Sequence, residues 1–134
     1  MVMHKANYGA HRHRESSGFT LIELLVVLAV IALLLSISLP KYFQSIDMAK
    51  DRVLAENLQI TRDVISKFYG DTGRYPDSLN ELVERKYLRE LPIDPVTEKA
   101  FIVIAPQEGY KGNIYDVKTS ASGKSHLGKE YANF

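Results

Sequence analysis

The stretch that decides the fold runs from Gly18 to Pro40 and reads GFTLIELLVVLAVIALLLSISLP. Apart from Thr20, Glu23 and two serines, every residue from Phe19 to Leu39 is apolar. A helix of about 20 residues matches the roughly 30 Å of hydrocarbon in a bilayer. The sequence therefore predicts a helix over residues 19–40 that spans a membrane.

Residues 1–18 are polar and basic, with Lys5, Arg12 and Arg14 against a single acidic residue, Glu15. We expect a cytoplasmic leader here, and the positive-inside rule then places the C-terminal part on the outer side of the membrane. A secretory signal peptide is the alternative, but its apolar centre is usually about 7 to 15 residues long and ends at a small-residue site. The end of this apolar run, SISLPKYF, is a poor version of such a site, so we expect a retained anchor.

The rest of the composition excludes several classes of site. The chain has no cysteine, which rules out disulfides and thiolate metal sites, and its net charge of +1 does not indicate a nucleic-acid-binding protein. His11 and His13 lie in the leader, and His126 has no convincing ligand partner nearby in the sequence. Residues 123–125 imitate the end of a phosphate-binding loop, but lysine stands at position 118, where that loop needs glycine. We expect neither an enzyme nor a nucleotide site.

Beyond Pro40 the helical period continues to about Gly70, near the turn GDTG. Apolar residues recur at spacings of three, four and seven, with further apolar residues beside them. The predicted stripe consists of Ile46, Ala49, Val53, Ile60 and Val64, flanked by Leu54, Leu58, Ile65 and Phe68. The simplest prediction is one helix of about 50 residues, half in lipid and half packed on a small head.

The remainder, within residues 41–134, predicts an α+β head. Ser78 and Glu81 form a candidate capping box for a short helix that ends near Lys86. Residues 100–105 (AFIVIA) and 113–119 (NIYDVKT) predict two short strands joined by a turn. The tail closes on two aromatic residues, Tyr131 and Phe134, which we expect to pack back against the sheet.

Glu23 and Pro40 each have two interpretations. Glu23 is either a carboxylate favoured by the helix N-terminus, or a partner for an amine at the same membrane depth, since charges inside a membrane are rare unless paired. A cut after Gly18 would expose such an amine on Phe19, and Glu23 would then be the fifth residue. Pro40 either ends the helix or lies inside it as a weak point, because proline lacks the N–H donor.

The motif GFTLIELLVVLAVIALLLSISLP closely resembles the N-terminal signal of type IV pilins and of the pseudopilins of type II secretion. The resemblance implies that a prepilin peptidase cleaves between Gly18 and Phe19, that Phe19 is then N-methylated, and that the apolar helix stays on the product. It also implies that Glu23 sets subunit register during assembly. A type IV pilin-like fold follows, with a long N-terminal helix packed on a small antiparallel sheet.

The head residues GRYPDSLNELVERKYLRELPIDPVTEKAF, from Gly73 to Phe101, resemble the G-type major pseudopilin of type II secretion systems. This resemblance implies a homopolymer in the periplasm that works with minor pseudopilins, a prepilin peptidase, an inner-membrane platform and an ATPase. A type IV pilin or minor pilin for adhesion, motility or DNA uptake is the alternative.

Many G-type pseudopilins carry an acidic loop near the C-terminus that binds calcium. The matching stretch here, SASGKSHLGKE, contains lysines and no aspartate, whereas calcium prefers several oxygen ligands. We therefore expect no cofactor. If calcium does bind, Asp116 and Ser120 are the candidate ligands.

Overall fold

The computed structural model describes residues 1–3 and 17–134. Most of the predicted leader, including His11 and His13, therefore lies outside the described residues. The described chain divides into two compact units, Met1–Ile37 and Ser38–Phe134. The predicted domain boundaries after residues 18 and 40 stay predictions.

One helix, α1, runs from Leu21 to Thr72 and is 52 residues long. This confirms the predicted single helix, and the alternative that the helix ends at Pro40 is wrong. α1 ends where Gly73 adopts a φ of 72°, a left-handed conformation that glycine adopts without steric cost. The Gly73 N–H donates to the carbonyl of Tyr69 at 2.8 Å and so closes the last turn.

The buried face of α1 differs from the predicted stripe. Its buried residues recur alternately at three and four positions, and they are Asp51, Leu54, Leu58, Thr61, Ile65 and Phe68. Val53 and Ile60, two members of the predicted stripe, are 45% and 46% exposed. The apolar residues that are buried are the ones predicted to flank the stripe: Leu54, Leu58, Ile65 and Phe68. The prediction is wrong for the stripe because two positions of the buried row, Asp51 and Thr61, are polar, so that a pattern of apolar residues favoured the neighbouring row.

A short helix, α2, spans Leu79–Glu84. As predicted, Ser78 is its N-cap, and its hydroxyl accepts from the Glu81 N–H at 3.2 Å. The Glu81 carboxylate accepts the N–H of Asp77 at 2.9 Å, one residue before the cap, so the box is shifted from the usual reciprocal arrangement. The helix ends two residues earlier than predicted, and Lys86 then adopts a φ of 64°.

The sheet has two antiparallel strands, β1 (Ile102–Ile104) and β2 (Asp116–Lys118), with Val103 opposite Val117. Both strands lie inside the predicted runs but are only three residues long. The connection between them returns past the Tyr75 backbone, where a Cβ on Gly112 would come within 2.1 Å of the Tyr75 carbonyl oxygen. Glycine at position 112 is therefore required by this close approach.

The C-terminal tail ends in a single 3-10 turn, Tyr131–Asn133. The Tyr131 ring is 7% exposed and lies 5.5 Å from the ring of Phe134, so the tail packs inward as expected. The buried apolar core consists of Leu54, Leu58, Ile65, Phe68, Leu82, Phe101, Ile114, Val117 and Tyr131. The structure therefore has the predicted α+β architecture, with a long N-terminal helix and a small antiparallel sheet.

Candidate functional site: the N-terminal segment

The predicted cleavage site lies immediately before α1. Residues 17–20 are not helical, and the Phe19 side chain is 96% exposed. A Cβ placed on Gly18 would meet nothing within 4 Å, so the backbone at this residue is uncrowded. The Gly18–Phe19 bond thus lies in an open, non-helical segment, and its cleavage stays a prediction.

Glu23 takes part in a reciprocal cap with Thr20. The Thr20 N–H donates to the Glu23 carboxylate at 2.9 Å, and the Glu23 N–H donates to the Thr20 hydroxyl at 3.2 Å. These two bonds satisfy donors that an α-helix leaves without partners at its N-terminus, and the negative charge favours the positive end of the helix dipole. The cap explains why α1 begins at Leu21.

This cap is not among the features predicted above, although its signal is present in the sequence. Threonine followed three residues later by glutamate, at the start of an apolar run, is the usual capping-box pattern. The cap supports the first interpretation of Glu23, a carboxylate favoured by the helix N-terminus. It uses one carboxylate oxygen, Oε2, and so is compatible with a second partner on another chain.

The apolar part of α1 is exposed along its whole length. The large apolar side chains between Leu21 and Leu39 are 47% to 82% exposed. Within the described residues, α1 is the one helix long and apolar enough to cross a membrane. An exposed apolar surface of this extent on a protein indicates contact with lipid or with other chains.

Pro40 lies inside α1, where it has no N–H to donate to the carbonyl four residues earlier. One turn before it, the Ser36 hydroxyl donates to the Ala32 carbonyl at 2.8 Å. Such a bond from a serine to the carbonyl four residues earlier commonly bends a helix slightly. The role of Pro40 as a weak point stays a prediction.

The two candidate calcium ligands are both engaged with other residues. Asp116 accepts from the Arg62 Nε at 2.8 Å and from the Val117 N–H at 2.7 Å. The Ser120 hydroxyl donates to the Thr97 hydroxyl at 3.2 Å. In residues 1–3 and 17–134, no group of three or more histidines or acidic residues is arranged to hold a metal ion.

The family described as "Prokaryotic N-terminal methylation motif" matches residues 13–39. The matched region includes the Gly18–Phe19 junction, Glu23 and the apolar run. This match extends no further than the anchor, so it gives no information about the head.

Three curated proteins are similar to the chain. The type II secretion system core protein G of Pseudomonas aeruginosa is 28% identical over 129 residues, which cover 84% of this chain and 89% of that protein. The type IV major pilin protein PilA of Myxococcus xanthus is 34% identical over 68 residues, covering 51% of this chain and 31% of PilA. The competence protein ComGC of Halalkalibacterium halodurans is 28% identical over 74 residues, covering 55% of this chain and 72% of ComGC.

No solved structure matches the chain. The methylation motif and the three relatives agree with the capped, exposed apolar helix and with the small sheet. In its N-terminal motif and over most of its length, the chain is therefore similar to type IV pilin-like proteins, and to a type II secretion core protein above all in coverage.

Proposed function

We propose that the protein is a structural, non-enzymatic subunit that polymerises into the periplasmic pseudopilus of a type II secretion system. The observation that carries this proposal is the extent of one match. The similarity to the type II secretion system core protein G covers 89% of that relative, so it includes the head as well as the anchor. The methylation motif adds the processing signal that such a subunit requires.

Before assembly, the apolar half of α1 holds the protein in the inner membrane as a single span. The basic residues at positions 5, 12 and 14 keep the N-terminus in the cytoplasm, because lysine and arginine favour that side of a membrane. The head, residues 41–134, then lies in the periplasm. The open segment around Gly18 and Phe19 is the substrate of the prepilin peptidase, and Phe19 is N-methylated after the cut.

In the filament, the apolar residues of α1 exchange lipid contacts for contacts with neighbouring copies of the same helix. Lipid tails are as apolar as leucine, so this exchange depends on close packing and on polar pairs rather than on the hydrophobic effect. Glu23 supplies one polar pair by meeting the N-methylated amine of Phe19 on a neighbour. Minor pseudopilins, an inner-membrane platform and an ATPase complete the machine.

The mass of the mature protein tests the processing step. Cleavage after Gly18 leaves 116 residues, the full 134 less the first 18. Methylation adds about 14 Da to that product. We expect this mass from membranes of a host with an active prepilin peptidase and the full-length mass from a host without it. A full-length chain in both hosts would contradict the proposal.

Glu23 variants separate the capping role from the pairing role. Glu23→Gln keeps an oxygen that can accept the Thr20 N–H but removes the negative charge, whereas Glu23→Val removes both. If the carboxylate pairs with a neighbour's amine, both variants lose filament assembly, as measured by shearing and immunoblotting. Normal filaments from Glu23→Gln would reduce Glu23 to a helix cap and overturn the pairing.

A type IV pilin or minor pilin is the second candidate, and the matches to PilA and ComGC support it. The PilA match covers 31% of that protein, so it says little about the head. Deleting the gene in its own host separates the two candidates. The proposed function expects accumulation of exoproteins in the periplasm with intact surface motility and DNA uptake, and the opposite result would favour the pilin.

A further inference from the structure

The carboxylate of Asp51 is buried beneath the C-terminal tail and is 1% exposed. One oxygen accepts the Tyr131 hydroxyl at 2.6 Å, and the other accepts the His126 backbone N–H at 2.7 Å. Both donors belong to the tail, 75 and 80 residues further along the chain. Asp51 therefore fixes two points of the tail to α1.

A second buried carboxylate, Asp94, holds the start of the tail. Asp94 is fully buried, and one of its oxygens accepts the N–H groups of Val96 and Thr97 at 2.8 and 3.1 Å. Its other oxygen accepts the Thr119 hydroxyl, which in turn accepts the Ala121 N–H at 2.9 Å. Protein donors therefore satisfy both carboxylates, as buried charged groups require.

The loop between Thr119 and Tyr131 is closed by hydrogen bonds among its own residues. The Ser125 and Lys129 backbones are joined by a hydrogen bond of 2.9 Å, and the Lys129 N–H also donates to the Ser125 hydroxyl at 3.2 Å. The Tyr131 N–H donates to the Gly123 carbonyl at 3.0 Å. Several oxygens that a cation would need therefore already accept hydrogen bonds from the protein.

The charges around the loop also disfavour a cation. Lys124 and Lys129 lie within it against a single acidic residue, Glu130, and the imidazole of His126 lies 3.5 Å from Asp51 and 3.7 Å from Asp47. Calcium requires six to eight oxygen ligands, usually including several carboxylates. The donor set of this loop does not fit calcium.

We propose that Asp51 and Asp94 form an internal carboxylate latch that holds residues 119–134 in place, and that this latch takes the place of the calcium ion that the resemblance to G-type pseudopilins implies. The latch is a property of the folded subunit and does not depend on filament assembly. It requires that the tail be ordered equally with and without calcium.

The first experiment compares thermal unfolding of the full-length chain in detergent micelles, in millimolar calcium and in a chelator. Near-ultraviolet circular dichroism reports on the head, because seven of the eight tyrosines lie at or beyond Tyr42. We expect the same midpoint in both conditions. A midpoint raised by several degrees in calcium would show that the loop binds the ion and would overturn the proposal.

The second experiment compares Asp51→Asn with Asp47→Asn. Both variants remove one negative charge near His126, but the Asp47 side chain is 45% exposed whereas that of Asp51 is 1% exposed. In Asp51→Asn the amide NH₂ must face either the Tyr131 hydroxyl or the His126 N–H, and an NH₂ group cannot accept a hydrogen bond. One of the two bonds to the tail is therefore lost. We expect trypsin to cut the tail at Lys124 or Lys129 roughly tenfold faster in Asp51→Asn, with little change in Asp47→Asn.

Two milder variants keep the proposal testable if Asp51→Asn does not fold. Tyr131→Phe removes a single donor and is expected to speed cleavage at the same lysines. His126→Ala removes the imidazole but keeps the backbone N–H that Asp51 accepts, so cleavage is expected to stay at the wild-type rate. Equal cleavage rates in wild type, Tyr131→Phe and Asp51→Asn would overturn the latch.

Discussion

The two halves of α1 are both rich in apolar residues, yet they expose them very differently. Every large apolar side chain between Leu21 and Leu39 is at least 47% exposed, whereas Leu54, Leu58 and Phe68 are fully buried. The first half presents apolar residues all round, which suits lipid or several neighbouring helices. The second half buries one narrow stripe under its own head. A large share of apolar residues therefore indicates that a helix needs something to pack against. Whether those residues surround the helix or form one stripe indicates whether the same chain supplies that packing surface.

The largest effect should come from the buried stripe. Leu58→Ala leaves a cavity in the core and is expected to lower the free energy of unfolding by about 2 to 5 kcal/mol. Ile60→Ala, two residues away and 46% exposed in the wild type, is the matched control and should cost well under half as much. Thermal unfolding of the full-length chain in detergent measures both. Equal losses would mean that the assigned buried face of α1 is incorrect.

A charge in the first half should affect the membrane and leave the head intact. Val30→Arg places a cation near the middle of the apolar run, at a cost of about 2.5 to 3.5 kcal/mol on insertion scales. We expect reduced membrane retention on fractionation, with an unchanged midpoint for unfolding of the head. A large shift in that midpoint would show that the two halves do not act independently.

The Arg74–Glu81 ion pair predicts a sensitivity of the head to acid. The hydrogen bond from Arg74, followed by that from the Asp77 N–H, holds the pKa of Glu81 below its ordinary value of 4.5. Because the pKa of Glu81 is lower in the folded state, the ionised carboxylate stabilises the fold. This contribution to the free energy of unfolding is present above pH 4.5 and is lost as the pH falls below 4.5. Glu81→Gln should be less stable than wild type at pH 7, and the difference should shrink as the pH falls from 4.5 to 3. A constant difference would contradict the assignment.

Tyr131 predicts a smaller sensitivity to alkali. Burial, and then the hydrogen bond to Asp51, raise the pKa of Tyr131 from 10 to about 12. The folded state thus holds the phenolic proton of Tyr131 more tightly than the unfolded state does. The resulting contribution to the free energy of unfolding is complete below pH 10 and is lost between pH 10 and 12. Tyr131→Phe should remove part of the loss of stability that wild type shows in this range. Parallel pH profiles for the two proteins would argue against a buried, bonded phenol.

The apolar run was predicted from the sequence, and the cap at its start could have been, because both features are local. Twenty apolar residues need no information from elsewhere in the chain to predict a membrane helix, and the pair Thr20 and Glu23 caps it from three residues apart. The same holds for Ser78 at the start of α2. Local hydrogen bonds and helical period decide these features.

The buried face of α1 was predicted only in part, because two of its positions are polar. Thr61 is buried with its hydroxyl bonded to the Asn57 carbonyl at 2.7 Å, and Asp51 is buried because the tail supplies two donors. No hydrophobicity pattern includes these residues. Burial of a carboxylate is acceptable only once its distant partners are in place.

By itself, the sequence determined a long helix with an apolar first half, the positions of α2 and the strands, and the pilin-like N-terminal motif. Tertiary structure alone decided which face of α1 lies against the head and how the tail is held. The physical reason is distance along the chain. Arg62, for example, donates to Asp116, to the Val117 carbonyl and to the Phe134 carbonyl, which lie 54 to 72 residues away and meet only in the folded head.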